Sequence, residues 1–243
     1  MAATFTEAVQ LKDVSYSVDG QEILKHVTGV FPEGKITTLV GPSGAGKTSL
    51  FRLINGLRAP SSGDIFVQGK PIEEYNPVDL RRKVGVALQS ATMISGSVYE
   101  NLALPLKLQE KQLAEEDAQE LLDLVGLKED TLDQNIKDLS GGQRQKLSIA
   151  RTLVNRPDVL LLDEITASLD RVSQQDIEKL IVKINQIYQT TMIWITHNLQ
   201  QARDIGDYTW VMIAGEVVET GESSLLNNPS TEHVRQFVRG EDS

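Results

Sequence analysis

Ile36-Thr37-Thr38-Leu39-Val40-Gly41-Pro42-Ser43-Gly44-Ala45-Gly46-Lys47-Thr48-Ser49 joins a short apolar run to a glycine-rich loop. The first five residues are β-prone and continuous in their apolarity, as a strand covered on both faces requires. A helix follows from about Lys47, with Leu50, Phe51, Leu53 and Ile54 on it. Gly41 to Thr48 fit G-x-x-x-x-G-K-[ST], and the strand before and helix after supply the context that gives this string its meaning. Glycines let successive backbone N–H groups turn inward into an anion nest at a helix N-terminus. Lys47 is then expected on the β- and γ-phosphates of a nucleoside triphosphate, and the Thr48 hydroxyl on Mg2+. The plainer alternative, a turn that only links strand to helix, does not account for the lysine and threonine at these positions.

A phosphate cradle needs an acid at the end of a neighbouring buried strand. Val159-Leu160-Leu161-Leu162-Asp163-Glu164 provides two. Asp163 is placed to hold the magnesium and Glu164, one residue further, to polarise an attacking water. Thr191–Thr196 reads as a third buried strand. Between the strands lie helical patterns: Ile177, Leu180, Ile181, Ile184, Ile187 and Tyr188 on one face, and Ala114, Ala118, Leu121, Leu122 and Val125 on another, stopped by Gly126.

The edges read differently. Val9–Val18 and Asp64–Gln68 alternate and carry turn chemistry at Asp19-Gly20 and Ser62-Gly63, as antiparallel strands do. Tyr208–Ile213 and Glu216–Glu219 flank Ala214-Gly215 as a hairpin. From about Ser90 to Val154 only helical signals remain. The expected class is α/β: a P-loop NTPase core with a mainly parallel sheet, an N-terminal antiparallel β subdomain and an inserted helical subdomain. Residues 1–243 form one domain, with 1–89 and 155–243 as core and 90–154 as the helical insert.

Leu139-Ser140-Gly141-Gly142-Gln143 precedes a helix bearing Leu147, Ala150 and Val154. Ser140 and Gln143 form an S-x-x-Q capping box. Capping does not explain two successive glycines, each costing about 1 kcal/mol in a helix relative to Ala. Close approach of an anionic ligand to the helix N-terminus does. Because the chain already has one cradle, this second site is expected to serve the nucleotide of a neighbouring chain.

In this order and combination the motifs strongly resemble the ATP-binding subunits of ABC transporters, over nearly the whole chain. The resemblance implies roles for residues that carry no signal alone. Gln89 is implied to reach the magnesium and attacking water while linking core to helical lobe. Asp170, in Ser168-Leu169-Asp170, is implied to bridge two subunits near the cradle, and His197 to contact the γ-phosphate. The family's adenine-stacking aromatic falls at Val18 here, with Tyr16 two residues earlier as substitute. Ile165-Thr166 stands where relatives have Pro-Thr, and Asn198 where Asp is more frequent. The implied cofactors are ATP and Mg2+, and the implied assembly is a head-to-tail homodimer formed on ATP binding.

The resemblance further implies a separate integral membrane permease. Its receiver is expected around Gln89–Leu104, with Met93, Ile94, Val98 and Tyr99 as docking residues or as ordinary helix core. The strings Asp163–Asp170, Ser97–Asn101 with Pro105, and Trp194–His197 are similar to FetA-type bacterial ATPases associated with iron export. Phosphate and amino-acid importers and lipoprotein-release systems use closely similar subunits.

Composition sets the outer bounds. The chain of 243 residues has no cysteine, which removes thiolate chemistry, disulfides and cysteine-held zinc. No apolar run approaches the roughly 20 residues needed to cross a bilayer, and no signal peptide is visible. These fit a cytoplasmic chain with no direct insertion, and the resemblance implies a peripheral place on the inner face of the membrane through the permease. With 34 acidic against 24 basic residues the net charge is -10, which repels nucleic acid. The rivals are a soluble ABC ATPase of the iron–sulfur assembly type and the DNA-repair branch. The latter interrupts its helical lobe with a coiled coil or zinc modules, for which the roughly 50 residues between Gln89 and Ser140 leave no room.

Overall fold

The computed structural model describes residues 6–240. Chain order runs β1 (Glu7–Val18), β2 (Gln21–Pro32), β3 (Ile36–Val40), α1 (Lys47–Ile54), β4 (Ser62–Val67), β5 (Lys70–Pro71), α2 (Pro77–Lys83) and β6 (Val84–Leu88). Three helices follow without an intervening strand: α3 (Val98–Lys107), α4 (Glu115–Val125) and α5 (Gly141–Leu153). The chain then returns with β7 (Val159–Asp163), α6 (Arg171–Tyr188), β8 (Thr191–Ile195), α7 (Leu199–Ile205), β9 (Tyr208–Ile213), β10 (Glu216–Glu222) and α8 (Glu232–Arg239).

Two sheets result. One has the order β2-β1-β4-β5 and is antiparallel; the other has the order β10-β9-β3-β8-β7-β6 and is parallel except for its β9–β10 hairpin. The apolar runs are continuous because both faces of the central strands are covered. Leu161, Ile193 and Ile195 face a core shared with Val9, Leu11, Phe31, Ile65 and Leu50. Their neighbours Leu160, Leu162, Met192 and Trp194 face the opposite core, with Leu147, Ile149, Ile177 and Ile181. Alternate residues of one strand thus weld the antiparallel sheet to one side and the helices to the other.

Some readings of the sequence need correction. Ser62-Gly63 lies inside β4, where the β1–β4 pairing shifts register between Lys12 and Ser15, so it serves a bulge rather than a turn. Ala114 is the exposed N-cap residue of α4, not part of its apolar face. Ile187 and Tyr188 are each 54% exposed. Tyr188, in the last turn of α6, lines a cleft with Leu121, Leu153 and Pro157.

Candidate nucleotide site

The parallel register brings the chemistry to one edge. Leu39 pairs with Ile195, Asp163 with Ile195, and Leu88 with Asp163. The residues that follow these strand ends, Gly41, His197, Glu164 and Gln89, therefore leave the sheet together at its carboxyl edge, the usual binding crevice of such sheets.

Within the cradle the glycines have separate duties. A Cβ on Gly41 would sit 1.9 Å from the Met212 carbonyl oxygen, so only glycine lets β3 pass β9 there and turn. Ser43 and Gly44 are open to solvent, whereas Ala45 is 2% exposed and anchors the loop in the core. Pro42, Gly46, Thr48 and Ser49 are half-buried. Leu24 forms the floor beneath Gly46, and Tyr16 is its partner across the β1–β2 ladder. Tyr16 packs partly on the core, and Val18 is 42% exposed.

Lys47 is 5% exposed, and its Nζ donates to the carbonyls of Gly41 at 2.7 Å and Pro42 at 2.9 Å. Burial pushes its pKa down, against the pull of Glu164 and Asp163. Among the described residues no carboxylate lies within ion-pair distance of it. A desolvated cation with only neutral acceptors is costly, and an anion in the cradle removes that cost. The Thr48 hydroxyl donates to Asp163 Oδ1 at 3.4 Å. Burial, and then Glu164, raise the Asp163 carboxyl above its ordinary range, and a cation beside it would reverse this. No group of three or more His, Asp or Glu among the described residues is arranged to hold a metal. Two protein oxygens suit Mg2+, which completes its shell with water and phosphate.

Glu164 has φ 50°, a left-handed backbone, and its N–H donates to the Ile195 carbonyl at 3.1 Å. That kink aims the side chain at His197, whose Nε2 lies 2.6 Å from Glu164 Oε1. His197 is exposed at the end of β8, and Asn198 caps α7 through the amides of Gln200 and Gln201. Asn does this capping as well as Asp. Ile165 is fully buried. Gln201, which sequence reading missed, donates to Thr166 at 3.2 Å and Glu178 at 2.7 Å, steadying the turn after Glu164.

Gln89 is exposed, one residue beyond β6. Its loop is tethered from α5, since Gln145 Nε2 donates to the Leu88 carbonyl at 3.1 Å. The signal was a polar residue on the buried face of an amphipathic helix.

Ser140 and Gln143 stand elsewhere. Each side chain accepts the other's backbone amide, at 3.2 and 2.8 Å, completing the capping box of α5. The two glycines are not alike. A Cβ on Gly142 would lie 2.8 Å from Ser173 Oγ, so contact with α6 explains that one within the chain. On Gly141 the nearest atom is Leu169 Cδ2 at 3.8 Å, ordinary contact, so packing leaves this glycine unexplained. Asp170 caps α6, accepting from Val172, Ser173 and the Ser173 hydroxyl, which holds its carboxyl below the usual range. Ser140–Gln143 and Leu169–Ser173 are thus one continuous surface. No hydrogen bond among the described residues joins it to the chain's own cradle.

The ABC transporter family model matches residues 24–167, which include the cradle, the capped turn and the strand-end acids. The chain belongs to the ABC transporter family of ATP-binding domains. A protein of Bacillus subtilis named YjkB, described as an ABC transporter ATP-binding protein, is 42% identical over 229 residues, 93% of this chain and 91% of that one. The methionine import ATP-binding protein MetN of Mannheimia succiniciproducens is 38% identical, over 95% of this chain and 70% of that one. Among solved structures, cbiO1 of Clostridium perfringens, part of the ABC transporter complex cbiONQ, matches with TM-score 0.83 and 28% identity, over 97% of this chain and 99% of that one. The ATP-binding cassette MJ0796, in a dimeric post-hydrolysis state bound to ADP and Pi, matches with TM-score 0.77 and 29% identity, over 88% of this chain and 98% of that one. This ABC domain is an ATPase with the family's α/β fold. Among the described residues no helix is long and apolar enough to cross a membrane.

Of the four residues singled out around Gln89–Leu104, two take the helix-core alternative. Val98 is fully buried, and Tyr99 packs on the helical core with its hydroxyl donating to the Leu113 carbonyl at 2.7 Å. Met93 also packs partly on that core, and Ile94 is 40% exposed.

Proposed function

We infer that this chain is the ATP-driven subunit of an ABC transporter, working as a head-to-tail homodimer beneath a separate membrane permease. The observation that carries this is the separation of two half-sites on one chain. Lys47, Thr48, Asp163, Glu164, His197 and Gln89 gather at the sheet edge, while Ser140–Gln143 and Asp170 form a different surface. In the dimer, ATP on Gly41–Ser49 of one chain is covered by Ser140, Gly141, Gly142 and Gln143 of the other, with Asp170 beside the junction. Tyr16 lies nearest the adenine. Thr48, Asp163 and Gln89 would hold Mg2+, which would supply positive charge against the phosphates. Glu164 takes a proton from the attacking water, and His197 orients Glu164 and meets the γ-phosphate. Two bridging nucleotides stabilise the closed dimer, and hydrolysis removes that stabilisation.

For the cargo, we retain a metal ion of the iron-export type, on the local strings Asp163–Asp170, Ser97–Asn101 and Trp194–His197. MetN is a methionine importer by name, so the cargo assay includes both. Purification with the multispanning membrane protein encoded nearest to this chain is expected to give a stable complex with faster ATP turnover than the free chain. Cells with extra copies of that complex are expected to hold less iron. Full turnover without any membrane subunit would contradict the permease reading. ATP-dependent methionine uptake with unchanged iron would contradict the cargo.

A further inference from the structure

The loop between Gln89 and Ser97 is held from two sides, and both holds come from the segment that carries Ser140. The stretch entering that turn pairs with the end of the loop. Ile136 N–H donates to the Gly96 carbonyl at 3.1 Å, Val98 N–H to the Gln134 carbonyl at 3.0 Å, and Ser97 bridges Asn135. The helix leaving the turn, α5, reaches across with Arg151. Its Nη2 donates to the Thr92 carbonyl at 2.7 Å, and its Nη1 lies 3.4 Å from Asn101 Oδ1. Asn101 is fully buried and completes the clasp. Its amide donates to the carbonyls of Ile94 and Ser97, at 3.0 and 2.9 Å, and its oxygen accepts the Ile94 N–H at 3.0 Å.

This is an expensive way to fix a loop. Arg151 is half-buried, and burial lowers its pKa. No carboxylate among the described residues pairs with it. An apolar side chain would avoid that desolvation, so stability alone does not select a guanidinium here. What a guanidinium adds is a planar fork that engages two acceptors in fixed directions. The clasp sits on the same capped helix as Ser140, and its far side presents Ile94 to solvent.

Resting on the dimer reading above, we propose that Arg151 is a positioning residue that locks residues 90–97 to α5, so that nucleotide capture at Ser140–Gln143 is delivered to the surface around Ile94. Hydrogen exchange on the full chain tests this, with Glu164→Gln as background to hold ATP. Gel filtration with ATP first establishes the dimer; a chain that stays monomeric contradicts the dimer reading itself and the inference with it. Given the dimer, ATP is expected to slow exchange in residues 90–97 about tenfold. Adding Arg151→Gln is expected to reduce that effect to under about twofold, while ATP affinity and exchange in the sheet stay as they were. Arg151→Lys keeps the charge but not the fork and is expected to give an intermediate, roughly threefold effect. That variant carries the test if Arg151→Gln does not fold. A dimer whose loop responds to ATP equally with and without Arg151 would overturn the proposal. So would exchange that rises everywhere, which marks a merely structural residue.

Discussion

Glu164→Gln is expected to slow ATP hydrolysis by about a thousandfold while ATP still binds, so that a nucleotide-loaded dimer accumulates. The size follows from removing a positioned general base, which contributes roughly 10² to 10⁴ in rate. Binding survives because the exchange keeps the side chain's shape and leaves Lys47 and Thr48 untouched. The amide still meets His197, which lies 2.6 Å from the carboxylate in the wild-type chain. Losing the negative charge also relieves Asp163, whose carboxyl is raised by burial first and by Glu164 second. Single-turnover hydrolysis and gel filtration with ATP are the measurements. Turnover within threefold of wild type would remove Glu164 from the chemistry.

Lys47→Ala is expected to weaken ATP binding by about 100-fold or more, or about 3 kcal/mol, the upper range for a charge-assisted contact. The unusual part concerns the chain without nucleotide. Lys47 is 5% exposed with only the carbonyls of Gly41 and Pro42 as acceptors, so its burial is a cost carried until a phosphate arrives. Removing it is therefore expected to leave unfolding in urea within about 1 kcal/mol of wild type. Equilibrium dialysis with ATP and urea melts check the two halves separately. A variant that binds ATP normally contradicts the assigned cradle. One that unfolds several kcal/mol more easily contradicts the account of a strained cation.

How much of this could be read from the sequence depends on how local the chemistry is. Gly41–Thr48 and Asp163-Glu164 are contiguous, and each sits at the end of an apolar run whose continuity reports burial on both faces, so strand and site were legible together. The capping box at Ser140 was legible for the same reason, since its partners are three residues apart. What escaped are contacts made across long sequence distance. Gln145 and Arg151 look like polar residues on an ordinary helix until Leu88 and Thr92 are seen beneath them. Gly142 has a packing reason that the local string does not show, since a Cβ there would meet Ser173 on another helix. The helical period rightly placed Ile177 to Ile184 inward, yet the same period runs through Ile187 and Tyr188 after the covering sheet has ended. Periodicity reports which face a residue takes; it does not report whether anything lies opposite.

The claim beneath the rest is that Ser140 of one chain closes on the cradle of another. The chain lacks cysteine, so introduced thiols are the only ones present. One sample carries Ser43→Cys and the other Ser140→Cys, both in the Glu164→Gln background, and they are mixed and treated with a short bismaleimide. The account predicts a cross-linked heterodimer that forms when ATP is present during the reaction and does not form when ATP is left out. Dimers that form on ATP but never cross-link between these two positions would contradict it.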